Sequence, residues 1–420
     1  MATQVLPAGG FSRERLFLAS CIALVATAMT FAVRADIMDA LGQQFHLNKE
    51  QVGAIAGIAF IGFTVAIFFG GQVVDSLGMG RVLALAFVCH LSGLVLTIGA
   101  GGYWTLWTGT LLLGLGNGLI EAAVNPLIAT MYADNKTPKL NALHAWFPGG
   151  IVIGGVVAYG ISTGLHLPLH LGWQVKLATI LLPTLAYGLL FLGQKYPPTE
   201  RVQSNISTGA MYREALRPLF LLWVFCMLLT AATELATGQW IGSILANVAG
   251  ASSILILVLI NAIMYVGRSF AAPVVHRLSP VGMLVGSAAF ALVGLLAMSY
   301  AASRVGAFAA ASVFAVGVCY FWPTMLGVTS ERFPRGGALL LGLMGAAGNL
   351  SVATVLPCMG HVQDISKNHP ELALRYMAIL PAILIIIFAA IYLSDKAKGG
   401  YRAEMLSAPI PHEEPLATPL

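Results

Sequence analysis

Four ionisable side chains stand inside long apolar runs of this chain: Arg34, Asp36, Glu121 and Glu234. A charge in hydrocarbon is costly, so an intramembrane acid is a candidate for moving protons or ions. Removing a carboxylate from water costs more than removing the neutral acid, so an acid opened to each side in turn can take up and release a proton. Asn117, Glu121 and Asn125 recur at i, i+4, i+8 and share one helix face. The rest of that segment is small or apolar, so the stripe is expected to face a cavity or another helix. Pro126 follows directly and should kink the helix and free backbone carbonyls. Asn141 and His144 open the next apolar segment at i, i+3. The second half offers Gln239, Trp240, Asn261, Trp322 and Asn349. Planar amides match paired hydroxyls and an indole matches a C–H ring face, so these groups suit a sugar. Structural roles compete: an interhelical bond for His144, core packing for Trp322 and helix packing for Asn349.

These residues need elements to hold them. The chain has 420 residues, 58% hydrophobic and 9% charged, with a mean hydropathy of +0.84. A soluble protein carries about 25% charged residues. A helical span takes about 20 residues. Apolar segments near 16–40, 50–72, 81–101, 104–131, 140–163 and 173–194 make a first half, 1–194. A polar linker, 195–215, follows, with Pro197-Pro198. Segments near 216–246, 251–272, 281–301, 304–328, 336–359 and 371–394 make a second half, 216–394. Residues 395–420 are polar and rich in proline and read as a mobile cytoplasmic tail. The reading is an all-α membrane protein, not an enzyme; composition excludes a soluble enzyme, a nucleic-acid binder, a disulfide scaffold and a β-barrel. Sixteen Lys and Arg fall on one side, five on the other and Arg34 within a span, which places both termini in the cytoplasm. Arg13 and Arg15 precede an uncleaved first span. The five cysteines sit in apolar runs without a CxxC, and His166 and His170 flank Pro168 without further ligands. Neither a metal nor a cofactor is expected. An offset of 197 maps Gly70 onto Gly267, Pro126 onto Pro323 and Asp36 onto Thr233. Duplicated halves place a transporter's site at their interface, near midplane.

Gly71-x-x-x-Asp75-x-x-Gly78-x-x-Arg81 resembles the short loop between spans 2 and 3 of the major facilitator superfamily. Glycines permit its tight turn. Asp75 is expected to pair with a helix end or an arginine and to brace one conformational state, with Gly71 and Arg81. Arg268 is the counterpart after span 8. Glu121-x-x-x-Asn125-Pro126 and Leu140-Asn141-x-x-His144 resemble the fucose/galactose/glucose permease family. So do Arg34-Ala35-Asp36-Ile37, Gly267-Arg268 and Glu234 with Trp240 six residues on. The resemblance implies the major facilitator fold: twelve transmembrane helices in two pseudo-symmetric six-helix halves around a central cavity. It further implies a proton-coupled symporter of a monosaccharide, a hexose, as a monomer in the inner membrane, with no nucleic acid as partner. Coupling then falls on Glu121 as proton carrier and Asp36 as gate; an ion pair with Arg34, itself read among the gating residues, is the competing structural role for Asp36. Sodium coupling, and export of another small solute or a lipid-like molecule, stay open as alternatives.

Overall fold

The computed structural model describes residues 12–47, 49–164, 168–249, 253–366, 369–404 and 406. Among the described residues, eleven helices are long and apolar enough to cross a membrane, and a shorter apolar helix, Leu255–Ser269, stands where the remaining span is expected. Spans 1 to 4 are Arg13–Gln44, Lys49–Leu77, Met79–Ile98 and Tyr103–Met131. Span 5 is broken into Lys136–His144 and Trp146–Gly164, and span 6 into Leu169–Ala178 and Leu181–Phe191. The linker forms two short helices, Glu200–Gln203 and Thr208–Ala215. Span 7 runs Pro218–Ala231, widens to a π turn over Ala232–Ala236 and continues as Thr237–Ala249. Spans 8 and 9 are Ser253–Ser269 and Ala271–Ser299. Span 10 joins Arg304–Val318 to Phe321–Arg332, span 11 is Gly337–Ile365, and span 12 joins Leu372–Met377 to Ile379–Ala397.

Local chemistry sets several boundaries. The Ser12, Ser207 and Ser303 hydroxyls each accept from a backbone N–H three residues on, as helix N-caps do. Gly78 turns span 2 into span 3 at φ 81, a conformation that costs glycine little. Span 9 bends at Ser279 (φ 63), directly before Pro280, because proline disfavours a helical residue ahead of it.

Small residues let the helices approach. A Cβ at Gly114 would lie 2.2 Å from the Ala59 carbonyl oxygen, and one at Gly118 2.3 Å from that of Phe63, so span 4 lies directly on span 2. In the second half, Gly317 on span 10 would place a Cβ 2.2 Å from Ala291 N on span 9. Between halves, span 2 meets span 11 at glycine again: a Cβ at Gly71 would lie 2.7 Å from the Ala338 carbonyl oxygen.

Both ends of the described chain meet the end of the bundle that carries the linker. Arg15 donates to the Leu190 carbonyl at 2.8 Å, where span 6 ends. The stretch expected as a mobile tail begins docked: the Tyr401 hydroxyl donates to Glu331 at 2.5 Å, and Glu404 N to the Glu331 carbonyl at 2.7 Å. Apart from Leu406, the tail from 405 onward lies outside the described residues.

Candidate functional site

A cavity of about 120 Å³ lies between the halves. Its apolar wall is Phe31, Phe60, Phe63, Phe147, Ile151, Leu235 and Val352; its polar wall is Glu121, His144, Glu234, Gln239, Arg268, Trp322 and Asn349.

The i, i+4 spacing on span 4 places Asn125 one turn beyond Glu121. Asn125 Nδ2 donates to the Glu121 carboxylate at 2.8 Å and to its carbonyl at 2.9 Å. The Asn125 carbonyl oxygen, Oδ1, lies 2.9 Å from His144 Nε2. An amide oxygen only accepts, so His144 carries its proton on Nε2 in this arrangement. Glu121, Asn125 and His144 are all buried. Across the cavity, the π turn presents Glu234 to Arg268 of span 8 at 2.6 Å. Arg268 also donates to the Cys319 carbonyl at 2.5 Å and, across the interface of the halves, to the His144 carbonyl at 3.2 Å. A polar chain therefore runs Glu121–Asn125–His144–Arg268–Glu234, passing at His144 from the ring to the main-chain carbonyl. The Trp322 backbone N–H donates to Glu234 at 3.4 Å.

The linker end is sealed by a second set. Asp75 takes bonds from Arg201 and Thr199 of the linker, each at 2.6 Å. The loop arginine is not its partner: Arg81 is exposed, and the Asp75 side chain, 4% exposed, turns inward to the linker. Lys136 bridges Glu200 at 2.6 Å and the Ser330 carbonyl at 3.1 Å. Glu331 accepts from Thr137 N at 3.0 Å and Thr137 Oγ1 at 2.7 Å at the start of span 5.

Several expected site residues point elsewhere. Asn141 is not in the cavity wall; it donates to Thr324 of span 10 at 3.2 Å within the seal, and its own Oδ1 is buried without a partner. Trp240 bonds the Leu356 carbonyl at 3.2 Å and packs on span 11. Asn261 bonds back to the Leu257 carbonyl of its own helix at 2.8 Å. Asn117 turns from the stripe to Thr30 at 3.0 Å and His90 at 2.8 Å, and His90 in turn meets the Tyr187 hydroxyl at 2.9 Å. Asp36 is exposed and pairs with Lys176 at 2.5 Å, outside the cavity wall. The competing Arg34–Asp36 pair does not form: at i, i+2 two side chains leave a helix in different directions. Arg34 is instead buried over the Phe31 and Phe60 rings, at 4.9 and 5.6 Å. His166 lies outside the described residues, as does the His170 side chain.

The phenylalanine wall, Lys176, Arg201 and Glu331 were not legible as site residues. Phe60 and Phe63, at i, i+3, carried a weak signal of a shared face. The ion-pair partners carried none, because each is distant in the chain.

A profile of the Major Facilitator Superfamily matches residues 16–356. A protein of Arabidopsis thaliana named as a polyol transporter is 26% identical over 213 residues, which are 48% of this chain and 41% of that one. Myo-inositol transporter 1 of Saccharomyces cerevisiae is 28% identical over 145 residues, 33% of this chain and 22% of that one. The chain thus spans less than half the length of these relatives. Among solved structures, the E. coli fucose:proton symporter superposes with a TM-score of 0.74 at 19% identity, over 89% of this chain and 98% of that one. A proton:xylose symporter bound to a brominated glucose superposes with a TM-score of 0.76 at 15% identity, over 90% and 95%. At such identities the likeness speaks to the fold, and the fold is the one that the profile specifies. The chain belongs to the Major Facilitator Superfamily.

Proposed function

We propose that this chain moves a polyhydroxylated solute, a monosaccharide, across the membrane in symport with protons. The observation that carries the reading is the polar chain from Glu121 to Glu234. Its proton-accepting carboxylate is linked, through Asn125 and His144, to Arg268, whose bond to His144 crosses between the halves. A proton on Glu121 changes what Asn125 can donate to, and so bears on the contact that must break when the halves rock. Glu121 is the proton carrier in this scheme. Gln239, Trp322 and Asn349 supply hydroxyl-binding groups and a ring face beside it. Relatives and neighbours named for polyol, inositol, fucose and xylose transport support such a cargo. The cavity is smaller than the ~300–1,000 Å³ of common ligand pockets, so loading requires the halves to part on the side away from the linker seal. Asp36, held by Lys176 outside the cavity, acts as an outer gate. Asn141 contributes through the seal, with Asp75 and Gly71, while Arg268 gates from the cavity wall by its bond to the His144 carbonyl. The chain works as a monomer in the inner membrane with both termini cytoplasmic, as its basic residues direct.

The test is uptake of labelled sugars into proteoliposomes under an imposed proton gradient and, separately, a sodium gradient. Proton-driven accumulation is expected, and Glu121→Gln is expected to exchange solute without accumulating it. Uptake indifferent to the proton gradient, or accumulation retained by Glu121→Gln, overturns the scheme.

A further inference from the structure

Arg34 is the buried charge that the symport scheme leaves unused. It is 9% exposed and lies one helical turn from Phe31 on span 1, toward the end away from the linker. Its guanidinium stacks over Phe31 and Phe60, both of which line the cavity. No acidic side chain pairs with it among the described residues, and its Nη1 is buried without a hydrogen-bond partner. The other buried basic side chains described, Lys136, Arg201 and Arg268, each have an acid at 2.6 Å. Aromatic faces attract a guanidinium but satisfy none of its N–H groups. A buried cation without its counterion is costly, and a guanidinium fork matches a carboxylate in two parallel hydrogen bonds.

We propose that Arg34 anchors the carboxylate of the transported solute, so that the cargo is a sugar acid, a hexonate or hexuronate, rather than a neutral sugar. This deepens, and rests on, the proton-symport reading above. Charge balance over the cavity and the guanidinium that rests on its Phe31 and Phe60 wall supports it. Arg268 neutralises Glu234, and a protonated Glu121 is neutral, which leaves the single positive charge of Arg34 for a single negative charge on the cargo. A sugar phosphate, with about −1.5 to −2 charges, would leave charge uncompensated. One proton moving with one monoanion carries no net charge, whereas a proton moving with a neutral sugar carries one.

The experiment uses the full chain in proteoliposomes, with labelled glucuronate, gluconate and glucose, a proton gradient, and a membrane potential set independently with valinomycin. Expected is saturable, proton-driven uptake of at least one sugar acid, indifferent to the potential. Excess glucose should compete at least tenfold more weakly. Arg34→Gln should raise KM for the acid tenfold or more, with Arg34→Lys between the two. Accumulation of glucose with neither acid transported nor competing overturns the inference and leaves the symport reading standing. Movement of none of the three under any gradient overturns the symport reading itself. An unchanged KM in Arg34→Gln removes Arg34 from the site. Should that variant not fold, competition and potential dependence in the parent chain still decide.

Discussion

Removing the carboxylate of Glu331 should open the linker end, by an amount that its hydrogen bonds set. One oxygen accepts from Thr137 N and Thr137 Oγ1, across the interface between halves, and the other from Tyr401 within the second half. Hydrogen bonds to charged groups contribute about 1.5–3 kcal/mol each. Two that share an oxygen, and that water partly replaces on opening, are worth about 2–4 kcal/mol together. Glu331→Ala should therefore raise the population open at the linker end about 30- to 700-fold. Glu331→Gln keeps an acceptor but not its charge; neutral bonds are about half as strong, so the rise should be about 5- to 30-fold. Ser330 is the reporter site: it is buried beside Glu331, and its carbonyl bonds Lys136 across the interface. In a background where the exposed Cys358 is Ser, maleimide labelling of Ser330→Cys reads the open fraction whenever opening is fast relative to alkylation. Tyr401 serves as an internal control. Burial beside the Glu331 carboxylate holds its phenol well above the ordinary range, so it remains a donor across physiological pH. Tyr401→Phe removes a bond that does not cross the interface and should change labelling less than Glu331→Gln. Labelling that rises less than twofold in folded, monodisperse Glu331→Ala, or more in Gln than in Ala, refutes the reasoning.

Gly71→Val should act on the same equilibrium by sterics: even a Cβ there would meet the Ala338 carbonyl oxygen at 2.7 Å. Overpacking costs about 1–3 kcal/mol, and accelerated Ser330→Cys labelling checks it. Arg201→Ala strands Asp75 with only Thr199. It should increase labelling and expose the linker to protease, with the thermal unfolding of the purified protein lowered. Gly116→Ala would place a Cβ 2.2 Å from the His90 ring, which Asn117 and Tyr187 hold on both nitrogens. A loss of about 1–3 kcal/mol should appear as a lower Tm. Asp36→Asn breaks a half-exposed pair worth about 0–1 kcal/mol; it should slow uptake while leaving Tm and the accumulation ratio in place.

Which parts of this architecture could be read from the chain follows from what periodicity encodes. Apolar runs of span length made the helices legible, and the i, i+4 step from Glu121 to Asn125 made their shared face legible. Periodicity names a face, not the partner across from it. The bonds from Arg268 to the His144 carbonyl and from Thr137 to Glu331 join residues over a hundred positions apart, so no local pattern announces them. Proximity in sequence misled at Arg34 and Asp36, because neighbours two apart diverge on a helix. Trp240 was misplaced because a spacing of six residues turns it to another helix face from Glu234, against span 11. The phenylalanines of the cavity wall were hidden by their abundance: in a chain this apolar, another Phe is not a signal.

The docking of Tyr401 on Glu331 sets a clock during synthesis. The two residues are separated by 70 positions. At about 5–20 residues per second, the ribosome delivers the tyrosine roughly 4–14 s after the glutamate. In that interval spans 11 and 12 are made, and the carboxylate can already take the Thr137 bonds while its other oxygen waits. The seal at the linker end is therefore completed from the far end of the message, and a nascent chain truncated before Tyr401 would carry the halves together with their closing bond unmade.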